Sequence, residues 1–513
     1  MTDQTTPAEP ASFAARIRRR LRSLEPIHVA LLGLLAIPGH LFDSLAALQV
    51  FWVFFLALLW PLVAPLVELA LGRAADAEEA VGPTDWIETG DWRTYAAWYL
   101  MLPLTILNPL VLAQDTMQFL GAAVAYARHR GSMPAAGSYE QRRSYRLPFD
   151  GRWTVVNGSY DRDYSHSWFP VNQRYAYDFV ITDADGRTSP EGSGSRVESS
   201  YCYDEPVLAP ADGAVIDVCD SAFESSRGGG LSHLLKRDIR GNYVVIQHAP
   251  DEYSCLAHLV PGSVGVEPGD RVTRGQRIGR CGHTGNSSDP HLHFQLQDHP
   301  DFEIAAGLPV AFDDVDAEWP GAEAPIDDPS TRNDADGART FVTAGQRVAH
   351  VDRDGDASSR TRDITDAASE AHDAGSGGAT DRRRAGIEFL QRVAFGACVG
   401  GVVTYFVSIV ASWLVVAEVL AAGAALGVAY RLGLSLRRGD GYVRRPGSIG
   451  TVVGAGLVAT VVAWYGTNGF AIGVGLLALG ASTFLAGFVV FLVLGEYDGR
   501  RLRASFADAV VRA

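Results

Sequence analysis

The sequence predicts a mostly antiparallel β domain set between two α-helical transmembrane blocks. Two observations lead there. Long apolar runs occupy both ends of the 513-residue chain, while its middle is polar. That middle is a succession of short β-type runs, among them GRWTVV, GNYVVIQH and RIGRCG, punctuated by Gly, Pro, Asn and Asp.

Taken in order, residues 1–26 form a basic tail in which RIRRRLR precedes an apolar run over 27–71. At about 1.5 Å per residue that run is long enough for two bilayer crossings. It is too long for a cleavable signal peptide and lacks a small-residue cleavage site behind a short apolar core. A second run, 95–127, holds one crossing or a tight pair broken at LNPL, where Pro109 interrupts a helix. Together the two runs make an N-terminal membrane block over 27–127. The β domain is expected over 143–312. From 313 to 388 the chain is acidic and rich in Ser, Gly and Ala, too poor in apolar residues to fold alone, and reads as a linker. Within it, TFVTAGQRVAHV could add one strand back to the β domain. The C-terminal block, 389–495, has apolar runs for four crossings, and 496–513 is a tail. Six to eight membrane helices are expected in all. His40, Asp43 and Asp115 fall near expected helix ends, where interfacial placement removes the cost of charge at membrane depth; a functional role is the alternative.

Net charge is −15, and Lys236 is the only lysine, so nearly all basic residues are arginine. This balance argues against nucleic acid as a partner. Many carboxylates with almost no lysine resemble a halophilic surface, as in a haloarchaeon, although a GC-rich genome would also produce the arginine bias. The five cysteines form no C-x-x-C pair. Cys202 and Cys219 flank EPVLAPADGAVIDV, which reads as two strands around an Ala-Asp-Gly turn; a disulfide across that hairpin and buried free thiols are both compatible with it.

Chemistry concentrates in SSDPHLHFQLQD, residues 287–298. Side chains alternate along a strand, so His291 and His293 share one face while Leu292 and Phe294 share the other. Two imidazoles so placed could hold a metal or a substrate, and a solvated strand with two inert histidines is the plainer reading of H-x-H by itself. The longer segment GDRVTRGQRIGRCGHTGNSSDPHLHFQLQD resembles the C-terminal half of the LytM/lysostaphin-type zinc metallopeptidases, the M23 family. Upstream, RYAYDFV, EPVLAPADGAVIDV and GNYVVIQHAPDEYSCLAHLVPGSV follow in the order that family uses, so the resemblance spans about residues 178–297.

The resemblance implies a Zn2+ cofactor, with Asp178 and His293 as metal ligands and His258 and His291 as the catalytic imidazoles. Zinc-dependent peptide hydrolysis asks for three protein ligands and an open position for water. The family has a histidine four residues before the aspartate. This chain has Arg174, which is permanently cationic and cannot ligate. His166 is the nearest upstream histidine and is taken as the third ligand, with Asn172 or loss of the metal as alternatives. His248 matches a position often histidine in the family and is read as structural. His283 either lines the groove or is a solvated turn residue, and His233 lies in a Gly-rich insertion, SSRGGGLSHLLKRD, that would overhang the site.

The expected function is a membrane-anchored zinc metalloendopeptidase acting on an envelope polymer or protein, with small residues favoured at the scissile bond. A degenerate M23-like binding or regulatory domain is the alternative that Arg174 keeps open. A transport or scaffolding role for the membrane blocks is a third, against which the lack of paired intramembrane charges counts. Arginines flank most of the runs, and the positive-inside rule would place all of them in the cytoplasm. An even number of N-terminal crossings then leaves the β domain inside, an odd number outside.

Overall fold

The computed structural model describes residues 107–320, 339–351, 378–408, 411–438, 447–468 and 474–511, with residues 29, 32–36, 39, 43–59, 97 and 100–105 before them. Part of the apolar run 27–71, including His40, and the linker segments 321–338 and 352–377 lie outside the described residues. The chain divides into two units, residues 1–81 and 82–513. Described in the first are two 3-10 helices, Leu32–Ala36 and Asp43–Leu59.

In the second unit, the predicted break at LNPL is a helix start. Asn108 accepts hydrogen bonds from the Leu110 and Val111 amides, and Pro109 takes the first helical position, where its missing N–H costs nothing. The helix α1, Pro109–Arg128, does not stand apart from the β domain. Gln114 donates to Glu303 (2.9 Å), Gln118 accepts from Asn172 (3.1 Å), and Arg128 pairs with Asp298 (2.8 Å). Asp115 is on the exposed side of the helix.

The strands are β1 (Arg152–Asn157), β2 (Tyr177–Val180), β3 (Pro206–Leu208), β4 (Gly213–Cys219), β5 (Tyr243–Ala249), β6 (Glu252–Ala257) and β7 (Arg271–Val272). They continue with β8 (Arg277–Arg280), β9 (Leu292–Gln297), β10 (Gly307–Leu308), β11 (Phe312–Asp313), β12 (Val315–Glu318), β13 (Arg339–Thr340) and β14 (Arg347–His350). The main sheet is antiparallel in the order β12-β14-β1-β2-β9-β6-β5-β4-β7, with β10 added beside β9. The segment RVAH thus joins the sheet between β12 and β1. β3 pairs with β8 and β4 with β5 and β7, so 206–219 is not a hairpin. All five cysteines are free thiols.

β5, β6 and β9 are buried along their whole length because both sheet faces are covered. One face packs Leu256, Phe294 and Leu296 against Trp153, Phe179 and Phe312. The other carries Tyr243, Val245, Tyr253, Cys255 and Ala257, with Leu502 of the C-terminal helix packed against them.

Four further helices follow: α2 (Gly378–Val407), α3 (Trp413–Arg438), α4 (Gly447–Thr467) and α5 (Val474–Val511). Each contains a stretch long and apolar enough to cross a membrane: Arg383–Val407, Trp413–Tyr430, Ile449–Thr467 and Gly475–Phe506. They are the four such helices among the described residues. α2 and α4 cross closely through small residues, since a Cβ at Gly396 would lie 2.1 Å from the Thr451 carbonyl oxygen and one at Gly454 2.1 Å from that of Val393. At 38 residues, α5 is roughly 57 Å long, well beyond a hydrocarbon core of about 30 Å. Its far end meets the sheet, with Glu496 on Arg128 (3.0 Å) and Arg503 on Asp251 (3.1 Å).

Candidate metal centre and active site

Asp178 on β2 and His293 on β9 are direct cross-strand partners, which brings their side chains together on one face. His293 Nδ1 lies 2.8 Å from Asp178 Oδ1. The register of β1 shifts between Val155 and Asn157, and this bulge sets Asn157 opposite Asp178. The Asn157 amide donates to Asp178 Oδ2 (3.0 Å), while its carbonyl oxygen accepts from the His166 backbone (3.0 Å). The loop after β1 is thereby held to the carboxylate, and His166 Nε2 comes within 3.7 Å of Asp178 Oδ2. His291 Nε2 lies 3.6 Å from Asp178 Oδ1.

His258 follows β6, whose last residue, Ala257, pairs with His293. Its φ of +62° is unusual for a residue with a Cβ. The strain is held by two hydrogen bonds, from its amide to the Arg240 carbonyl (2.9 Å) and from Nδ1 to the Thr284 carbonyl (2.7 Å). His291 likewise directs Nδ1 at the Asp289 carbonyl (2.8 Å). With Nδ1 donating in both, each Nε2 keeps its lone pair for the cluster. The rings of His258 and His291 are 4.6 Å apart, and one ligand atom from each of His258, His291 and His293 lies within 4.8 Å of the others.

The electrostatics suit cation binding. Burial disfavours a charged Asp178, but His291, the hydrogen bond from His293 and the charge of His293 outweigh it and hold the carboxyl well below its usual range. Burial, then the neighbouring His291 and His293, push His258 far below an ordinary histidine. Burial also opposes charge on His293, yet Asp178 raises it above an ordinary histidine. A charged carboxylate, imidazoles at His166 and His258 that burial holds towards the neutral form, and the Nε2 lone pairs of His258 and His291 are donor chemistry that zinc requires, so the residues present fit the ion.

The structure thus brings His166, Asp178, His258, His291 and His293 together. It places the other candidates elsewhere. Arg174 stacks on Trp168 (5.3 Å) and makes no ion pair with Asp178 among the described residues. Asn172 turns its amide to Gln118 and the Phe302 carbonyl. His248 is buried between the Asp212 carbonyl and the Ser254 hydroxyl. His283 is neither solvated nor open to a groove; it is fully buried, reaching Ser287 and the Leu231 carbonyl. His233 contacts Phe223 away from the cluster.

Two contributors escaped sequence reasoning. Gln295 accepts from His293 Nε2 (3.1 Å) and so fixes that ring; its strand parity with His293 was the available signal. Asn157 depends on the bulge, for which the sequence carries no mark. The Gly-rich insertion closes one side: the Gly229 amide donates to Asp289 (2.7 Å) and that of Gly230 to the Ser288 carbonyl (3.0 Å). Lys236 anchors it through Thr105 (2.8 Å) and Asn286 (2.7 Å), and burial pulls its ammonium down to about 8.

Residues 195–303 match the model of Peptidase family M23. That stretch contains His258, His291 and His293 and begins after His166 and Asp178. The chain is 29% identical over 181 residues to the peptidoglycan DD-endopeptidase ShyA of Vibrio cholerae, a match covering 34% of this chain and 32% of that protein. It is 34% identical over 100 residues to an uncharacterized metalloprotease of Haemophilus influenzae, covering 20% of this chain and 18% of that one. The chain therefore spans a third or less of the length of these relatives. Among solved structures, a zinc-containing peptidase from Vibrio cholerae aligns with 23% identity and a TM-score of 0.21, covering 32% of this chain and 39% of that one. The catalytic domain of lysostaphin from Staphylococcus simulans aligns with 19% identity and a TM-score of 0.18, over 33% of this chain and 90% of that one. The middle of the chain is an antiparallel β-sheet M23 domain, followed by four helices apolar enough to span a membrane.

Proposed function

We propose that the chain is a membrane-anchored zinc metalloendopeptidase that cleaves peptide bonds in an envelope polymer or protein. The observation that carries this reading is the convergence of three histidines, His166, His291 and His293, on one buried carboxylate, Asp178, with His258 packed against two of them. Asp178, His293 and His166 would hold Zn2+, which supplies a Lewis acid and lowers the pKa of a coordinated water towards about 7. His258 and His291 would flank that water through their Nε2 atoms, each ring fixed from behind by a backbone carbonyl: an Nε2 lone pair takes the water's proton as general base, and the N–H so formed can donate to the oxyanion. Asn157 orients the carboxylate, and Gln295 orients His293.

A different ligand set has its own support. His258, His291 and His293 form the cluster of mutually close ligand atoms, and a three-histidine centre would remove His291 and His258 from acid–base work. The substrate class draws on the relative named a peptidoglycan DD-endopeptidase, which supports a cross-linked peptide in a wall-like polymer.

The test is hydrolysis by the full-length protein in detergent, on cross-linked peptidoglycan peptides and on a glycine-rich peptide. The proposal expects turnover that a chelator removes and zinc restores. Cleavage that survives removal of the metal contradicts it. Stoichiometric zinc with binding but no cleavage of either substrate favours the binding-domain reading.

A further inference from the structure

Away from the histidine cluster, a cavity of about 440 Å³ lies where the β domain meets α1, α2, α3 and α4. That is within the range of ligand pockets, roughly 300–1,000 Å³. Its two ends differ in chemistry. The end in the β domain is lined by charged and polar groups, whereas the other runs between the helices along Val399, Val403, Leu420, Ala424 and Val452.

At the polar end, which Glu388 and Arg392 also line, three carboxylates are already engaged. Asp217 accepts from the Tyr243 hydroxyl (2.8 Å), Asp238 pairs with Arg240 (2.7 Å), and Glu303 accepts from Gln114 (2.9 Å). Arg237 differs: its guanidinium donates to the Ser221 carbonyl and sits 5.9 Å from both the Phe223 and Tyr430 rings, with no carboxylate partner among the described residues. Tyr430 is the last residue of the candidate span Trp413–Tyr430 within α3, so Arg237 lies beside the end of that apolar stretch. A cation with donors to spare there, above an apolar slot between helices, matches a phosphate ester carrying a long chain.

We propose that this cavity binds a phosphate-headed membrane lipid, with the phosphate on Arg237 and one chain between α2, α3 and α4. The proposal rests on α2–α5 lying in a bilayer and is independent of the hydrolytic reading. Its inner wall includes Gly241, between Arg240, whose carbonyl holds the His258 amide, and Asn242, whose carbonyl holds that of Leu259. The lipid therefore touches the segment that positions a catalytic-site imidazole.

The test uses the full-length protein in vesicles of phosphatidylcholine and phosphatidylglycerol carrying a trace of photoreactive phosphatidylglycerol, or of photoreactive diacylglycerol. Cross-links from the first should map to 399–403 and 416–427. Gly423→Leu adds bulk to the slot at a position where a Cβ meets no atom within 4 Å. That variant and Arg237→Gln should each lower cavity labelling by about tenfold, as expected for loss of the chain's space or of a charge-assisted contact. Equal labelling in both variants overturns the proposal. So does diacylglycerol labelling the cavity as strongly as the phospholipid, or inorganic phosphate abolishing the label, which would assign the cation to free phosphate. Failure of either probe to label the outward faces of α3 and α5 would overturn the bilayer placement itself, a result distinct from the others.

Discussion

The two sides of the histidine cluster are built differently. His293 and Asp178 project from paired strands in the centre of the sheet and are nearly buried, with side chains 9% and 11% exposed. His166 comes from a loop, is 52% exposed, and is tied to the carboxylate mainly through Asn157. A strand ligand is fixed by register, whereas a loop ligand is fixed by whichever side chain tethers the loop. Arg174 packs on Trp168, while a nearby loop brings the His166 imidazole to the carboxylate; on the proposed ligand set, that loop residue stands in for the histidine of the M23 pattern.

Breaking the strand side should have the largest effect. Asp178→Ala or His293→Ala is expected to remove bound zinc and to lower peptide hydrolysis by on the order of a thousandfold or more, measured as kcat/KM beside metal content. Breaking the tether should cost less. Asn157→Ala leaves every proposed ligand in place and should weaken zinc affinity by about 10–100-fold in a competition titration with a chelator; Gln295→Ala should fall in the same range, acting through His293. An unchanged affinity in Asn157→Ala would mean that the loop is held by something other than this amide. Arg174→Ala should leave zinc content unaltered, because a guanidinium has no lone pair to give.

A smaller effect separates the site from the sheet that carries it. Burial holds His248 down to about 4, against about 6.5 for an unperturbed histidine. The folded state therefore binds this proton more weakly than the unfolded chain does. Stability from this group is complete above about pH 6.5 and is lost as pH falls towards 4, by an amount on the order of 1–3 kcal/mol. Thermal unfolding of the full-length protein between those limits should show the loss, and His248→Gln should flatten it. A variant with the same acid slope as the unmutated chain would assign the sensitivity to another histidine that burial holds down, His258 or His299, the latter at about 4 too.

The strand side was legible because it repeats with period two: HLHFQLQ announces one face of His291, His293 and Gln295 and another of Leu292, Phe294 and Leu296. What alternation could not reveal is that the polar face is also buried. A polar row ordinarily marks the solvated side of a sheet, and here α1 and α5 cover that side through contacts at Asn172, Asp298 and Gln247. LNPL marks a break in the helical pattern; the docking of the following helix through Gln114 and Gln118 depends on partners more than 50 residues away. The Ala-Asp-Gly turn misled for a related reason. Local signals give a turn between two strands, but β3 finds its partner in β8, so no hairpin forms. Only proximity along the chain points from Asp178 to His166, and the bulge at Asn157 that brings it there has no sequence signature.

Zinc content measured on the unmutated full-length protein and on His166→Ala, side by side after reconstitution, bears most directly on that loop ligand. The account predicts close to one zinc per chain in the first and a loss in His166→Ala as deep as in His293→Ala, while His291→Ala keeps the metal and loses turnover. Full occupancy in His166→Ala, together with loss in His258→Ala and His291→Ala, would contradict it and place the ion among His258, His291 and His293 instead.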